Sequence, residues 1–230
     1  MCLAYYVAIF PFISLGQVFF MKKFLFDAKS ANFITGLIYL ISAPASPLLG
    51  FLIDKTGRNV FYVFISIATT LIGHLLLAFT FLNPYIAVVI MGLSYSLLAS
   101  ALWPIAALII PEYQLGTAYG LMQAIQNLGL ALMTMVSGYV VDKHGYLWLE
   151  IFFALWLVIA LICTVFIWLI DLNGSGYLNM STKQREAVDE AKRLQKEAEE
   201  RREEIQRNRT RPRTSSEVRL RYVRGPYRAL

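Results

Sequence analysis

Charge is the scarcest commodity in most of this chain. Of its 230 residues only 16% are charged, and residues 1–180 hold just 6 Lys and Arg with 6 Asp and Glu. Soluble domains carry about 25% charged residues, so a water-exposed globular surface is excluded. Cysteine is nearly absent as well. Cys2 and Cys163 both lie in apolar runs, which excludes a disulfide framework and any cysteine-based metal spacing. The first apolar run has no basic segment before it, and its positive charges, Lys22 and Lys23, come after it. That order is not the one a cleavable signal peptide shows, and the run is expected to be a span. Finally, the centres of the first, second, fourth and fifth apolar segments contain no Asp or Glu.

What is present is apolar length. Hydrophobic residues make up 57% of the chain, and mean hydropathy is +0.56. A helix needs roughly 20 apolar residues to cross the hydrocarbon, and six segments qualify: 3–21, 31–53, 60–82, 85–110, 117–141 and 146–170. The connections between them are short and force neighbouring helices to be antiparallel. The expected architecture is an all-α membrane bundle of six transmembrane helices over 1–171, then a linker over 172–180, a charged helix over 181–207 and an arginine-rich disordered tail over 208–230. Ser181-Thr182-Lys183-Gln184 supplies a capping-box start for the charged helix, whose few apolar positions keep no heptad. The tail's excess of arginine suits an anionic leaflet; with no folded reader beside it, nucleic acid is not an expected partner.

Positive charge near the spans sets orientation. The loops nearly tie, Lys55 and Arg58 against Lys22, Lys23, Lys29 and Lys143, and the tail cations Lys183, Arg185, Lys192 and Arg193 break the tie. Both termini and the turn 54–58 are therefore expected in the cytosol. Asn-x-Ser/Thr triplets at Asn173, Asn179 and Asn208 would argue for a lumenal tail if glycosylated. Pro11, Pro44, Pro47 and Pro104 sit inside spans, where each removes a backbone hydrogen bond; they fit bent, gating helices and equally the general frequency of proline in membrane helices.

The chain also repeats itself. Gly50-Phe51-Leu52-Ile53-Asp54-Lys55-Thr56-Gly57-Arg58 has a second copy of its framework in Gly138-Tyr139-Val140-Val141-Asp142-Lys143-His144-Gly145. Three spans separate the copies, an odd number, so the two face opposite sides of the membrane. That pattern marks a 3+3 inverted repeat, an architecture of alternating-access transporters.

The first copy resembles the Gly-x-x-x-Asp-x-x-Gly-Arg loop signature of the major facilitator superfamily. The run Gly92-Leu-Ser-Tyr-Ser-Leu-Leu-Ala-Ser-Ala-Leu-Trp103-Pro104, then Pro111-Glu112 and Leu115-Gly-Thr-Ala-Tyr-Gly120-Leu-Met-Gln123-Ala-Ile-Gln126-Asn127-Leu-Gly129, is similar to the lysosomal dipeptide transporters of that superfamily. The resemblance covers residues 3 to about 186 and does not extend to the arginine-rich end. It implies half of a twelve-helix fold, with a missing N-terminal six-helix half, so that the sequence is a truncated or spliced form or a fragment, or else a half-transporter that forms a homodimer. It also implies a lysosomal membrane location, facilitated export of small peptides such as cationic dipeptides, and a glycosylated lysosomal accessory membrane protein as partner. Binding and rocking move such a substrate, so no covalent catalysis, enzyme activity or cofactor is implied.

Two sets of residues are candidates. Asp54, with Lys55, Gly57 and Arg58, is placed to gate the cytosolic side, Asp54 accepting hydrogen bonds from the start of the fifth span at Gly116 and Thr117, where the helix dipole favours negative charge. A plain positive anchor in a tight turn would use the same cations without needing the aspartate. On the fifth span Tyr119, Gln123, Asn127 and Thr134 share a helical face, and either glue helices together or line a wet cavity. Because the superfamily's cavity uses the first, second, fourth and fifth helices of this half, Tyr39, Trp103, Tyr119, Gln123 and Asn127 are expected to meet substrate, with Ser42, Ser96 and Ser100 as further lining candidates. His74 and Glu150 fall on spans expected behind the cavity, where structural hydrogen bonding is expected. Two other functions fit the same residues: a superfamily transporter of another solute such as a sugar or organic anion, and a transport-dead membrane interaction protein.

Overall fold

The computed structural model describes the chain through residue 210, and each apolar segment forms one long helix. These are α1 (Cys2–Lys23), α2 (Ala28–Thr56), α3 (Asn59–Phe79), α4 (Pro84–Ile109), α5 (Leu115–His144) and α6 (Tyr146–Asn173). All six are long and apolar enough to cross a membrane, and the protein is a multi-pass membrane bundle. The charged α7 (Thr182–Thr210) follows. The chain divides into two compact units, Met1–Thr182 and Lys183–Leu230. In the second, α7 is exposed at every position from 189 to 207 and carries i,i+4 pairs such as Arg193 with Glu197 at 3.1 Å, the support expected for a solvated single helix. Of the arginine-rich tail expected over 208–230, residues 211–230 lie outside the described residues.

Helix ends differ from the sequence expectation in one respect that matters for the site. Charged residues expected in turns continue the helices: Asp54 and Lys55 belong to the last turn of α2, and Asp142, Lys143 and His144 to the last turn of α5. Each helix stops only at the glycine three residues after its aspartate, Gly57 at φ +70° and Gly145 at φ +82°. This left-handed region is open to glycine without a Cβ clash. The charges near the helix end are tolerated because a water-facing turn lets Lys and Asp side chains stay solvated.

The strongest helix pairings inside the bundle follow the repeat. Exchanging α1 with α4, α2 with α5 and α3 with α6 maps the α2–α4 pairing onto α5–α1 and the α3–α4 pairing onto α6–α1, and leaves α3–α6 unchanged; all of these pairings are present. The central layer is α1, α3, α4 and α6, with fully buried Tyr5, Phe12, Phe19, Ile67, Met91 and Phe153. Helices α2 and α5 lie outside it and bury least of the six. Close crossings use small residues, as membrane packing demands: a Cβ added to Gly92 of α4 would come within 3.2 Å of the Ile38 carbonyl of α2.

Between α1, α3 and α6 sits a polar island. His74 Nδ1 and Glu150 Oε2 are 2.7 Å apart with both side chains fully buried, walled by Phe12 at 5.2 Å and Phe153 at 5.5 Å from the imidazole. The two residues expected to serve structure thus pin α3 to α6.

Candidate functional site

Three of the five candidate substrate residues are drawn into one wall of aromatic side chains. Tyr119 on α5 lies 5.8 Å from the ring of Trp103 on α4, and its hydroxyl donates to the Trp103 carbonyl at 3.0 Å. Trp103 Nε1–H donates to the Tyr6 hydroxyl on α1 at 3.2 Å. Tyr6 meets Tyr95 of α4 edge-on at 6.5 Å, and Tyr95 meets Tyr39 of α2 edge-on at 6.3 Å. Phe10 stacks on Tyr6 at 5.3 Å. Helices α1, α2, α4 and α5 therefore share a continuous face of phenol and indole groups, buried at Tyr6 in its middle and open at its Tyr39 end, which is 44% exposed. Each aromatic pair adds about 0.5–1.5 kcal/mol beyond area burial, so the wall is a preformed surface rather than a set of loose side chains.

Sequence reasoning missed Tyr6 and Tyr95. The available signal was a hydroxylated aromatic inside an otherwise apolar span, which in hydrocarbon requires a partner for its O–H. Gln123 and Asn127 are exposed and make no hydrogen bond among the described residues, whereas Gln126 is buried and accepts from Cys2 Sγ of α1 at 3.4 Å. Helical geometry explains it: a residue seven positions on lies about 20° from Tyr119, while one eight positions on lies about 80° away. Gln126 therefore shares the inward face, and Asn127 turns outward. Ser96 is fully buried with its hydroxyl donated to the Gly92 carbonyl at 2.9 Å, so it does not line an open surface. Ser100 donates to the Ser46 carbonyl at 3.4 Å and joins α4 to α2.

The signature turn lies at one end of this assembly. Gly57 closes α2 by donating to the Ile53 carbonyl at 2.7 Å. Arg58, also left-handed at φ +58°, starts α3. Asp54, Lys55 and Arg58 all present exposed side chains. The Asp54 carboxylate makes no hydrogen bond among the described residues, so the expected bond from the start of α5 is not formed in this structure. The adjacent Asn59 is 3% exposed and donates to the Ala101 carbonyl at 3.2 Å. This ties the turn to α4 two residues before Trp103.

A six-helix inverted repeat with an Asp-x-x-Gly-Arg turn and a polar aromatic face defines a transporter half, and the chain belongs to the Major Facilitator Superfamily, whose sequence profile matches residues 1–223. That is a family of transporters, not enzymes. Among individual proteins, the chain is 58% identical over 184 residues to the lysosomal dipeptide transporter MFSD1 of Danio rerio, covering 80% of this chain and 40% of that protein. It is 54% identical to the protein of the same name from Mus musculus and 51% identical to that from Homo sapiens, each over 187 residues, or 81% of this chain and 40% of the relative. The chain thus spans about 40% of the length of the curated relatives it matches.

Proposed function

We propose that the chain is the C-terminal six-helix half of a transporter that moves small peptides, cationic dipeptides among them, out of the lysosome by alternating-access facilitated transport. The observation that carries this reading is the aromatic wall across α1, α2, α4 and α5. The Tyr39 and Tyr95 hydroxyls offer hydrogen bonds to peptide groups, and the wall's ring faces attract ammonium and guanidinium groups. The relatives, lysosomal dipeptide transporters by name, supply the substrate class. Helices α2 and α5, the least covered of the six, offer the surface on which an N-terminal six-helix half, or a second copy in a homodimer, would close the cavity. A glycosylated accessory membrane protein in the lysosome completes the proposed assembly. Both termini and the turn 54–58 are assigned to the cytosol, where Asp54, Lys55, Gly57 and Arg58 gate access, and Gln123 and Asn127, on the exposed side of α5, meet substrate from the side that a second six-helix half would cover.

Facilitated movement is favoured over proton symport by the absence of a mid-span carboxylate on the four wall helices. The buried acid Glu150 is engaged with His74 behind the wall. Uptake of lysine- or arginine-containing dipeptides into vesicles bearing a twelve-span form is expected to saturate and to persist when the pH gradient is collapsed. Absence of saturable uptake, with uptake of a sugar or organic anion instead, would overturn the substrate class; uptake that requires a pH gradient would overturn the facilitated mechanism.

A further inference from the structure

The two copies of the repeat turn share their glycine geometry but not their surroundings. A Cβ added to Gly145 would meet nothing within 4 Å. One added to Gly57 would meet the Met180 carbonyl at 2.5 Å and the Thr182 nitrogen at 2.8 Å. Something therefore lies across the first turn alone, and it is the chain just after α6. There Gly176, at φ +67°, reverses the path, the Leu178 N–H donates to the Asp171 carboxylate at 3.1 Å, and the Leu178 side chain is buried at 8% exposure.

Three hydrogen bonds join this segment to the turn. Arg58 N–H donates to the Met180 carbonyl at 3.1 Å. Phe61 N–H, in the first turn of α3, donates to the Asn179 side-chain oxygen at 3.3 Å. The Thr182 hydroxyl donates to the Asp54 carbonyl at 2.6 Å. The first four N–H groups of a helix and its last four carbonyls have no intrahelical partner, and Arg58, the residue at the capping position of α3, makes no side-chain cap. Residues 179–182 supply what the turn lacks on both sides, an acceptor for α3 and a donor for α2.

We propose that residues 179–182 are a strap that caps α2 and α3 in trans and makes the signature turn and the exit of α6 one moving body, with Asn179 and Thr182 as its positioning residues. Its consequence for transport rests on the gating role proposed for the turn. The signature glycine then has two duties: positive φ, and room for the strap. Asn179 also heads an Asn-x-Ser triplet, but its side-chain oxygen is committed to α3.

Amide exchange read by mass spectrometry on the full 230-residue chain in lipid nanodiscs tests the strap over residues 56–62. Asn179→Ala and Thr182→Val are expected to speed exchange there about fivefold, the size of a lost helix cap. Asn179→Asp and Thr182→Ser, which keep the acceptor and the hydroxyl, are expected to exchange at the wild-type rate. Asn179→Asp also deletes the triplet, so wild-type behaviour assigns the effect to the cap rather than to a glycan. Unchanged exchange in Asn179→Ala and Thr182→Val overturns the strap, as does equal loosening in Asn179→Asp. The gate fails separately: transport unaltered by Asp54→Asn, with the turn loosened by the strap variants, removes the gating role and upholds the strap.

Discussion

At the scale of single residues, the His74–Glu150 contact and the aromatic wall obey different energetics. Interhelical hydrogen bonds in membranes average only about 0.6 kcal/mol, because the alternative partners are also protein groups. Removing one member of a fully buried ionisable pair is another matter, since it strands the other and costs about 3–5 kcal/mol. Glu150→Ala is therefore expected to lower the unfolding free energy in detergent by about 3–5 kcal/mol. His74→Ala/Glu150→Ala should recover part of that loss. A single-variant loss near 0.6 kcal/mol would show that the pair is an ordinary interhelical bond. The pair's structural role was legible because both residues fall on spans behind the cavity. Tyr39, Trp103 and Tyr119 were singled out because they fall on the helices that the superfamily resemblance assigns to the cavity. Tyr6 was hidden by its helix, whose apolar composition is uniform and whose buried positions run without a break from Ala4 to Ile9, so no periodicity singles out a face.

Among the elements, α3 illustrates how a short helix between two water-facing turns is completed by other parts of the chain. Asn179 serves its first turn, and at its other end Lys23 of α1 donates to the Leu77 carbonyl and, at 2.8 Å, to the Ala78 carbonyl. The ammonium there also faces the Phe19, Phe24 and Phe81 rings at 5.7–5.8 Å. Neither partner could be read from the local sequence of α3, since both are distant in the chain. Helix α2 is the opposite case. Its Asp27 cap lies just ahead of it, accepting from Lys29 N–H at 3.1 Å and Ser30 N–H at 3.3 Å. The Ser30 hydroxyl, and then the backbone N–H groups, hold the Asp27 carboxyl below its ordinary value of 3.8. A depressed carboxyl contributes fully above the ordinary value and loses its contribution as pH falls through the folded one. The α2 start is therefore expected to keep slow amide exchange at Ser30 down to about pH 4 and to loosen only in stronger acid, while Asp27→Ala loosens it at every pH. Loosening of the wild type at pH 5–6 would contradict the assignment. On the proposed orientation this cap faces the lumen, where resistance to acid matters.

For the whole molecule, the repeat was legible from two glycine-aspartate turns because three is an odd number of crossings. The symmetric pairing of helices follows from it. The difference between the turns was not legible, because it arises from residues 179–182 folding back onto one copy and not the other. Helical spacing alone puts Gln126 nearer than Asn127 to Tyr119, but that this face turns toward α1 shows only in the packing of Cys2 against Gln126. The central claim is that the face shared by α1, α2, α4 and α5 is where a peptide sits, and Tyr39, at its open end, is the residue through which to ask. In a twelve-span form, Tyr39→Cys labelled by a membrane-impermeant maleimide should react readily and be protected saturably by a lysine-containing dipeptide. Labelling that the dipeptide leaves unchanged, in protein that still transports it, would place the substrate elsewhere and contradict the account.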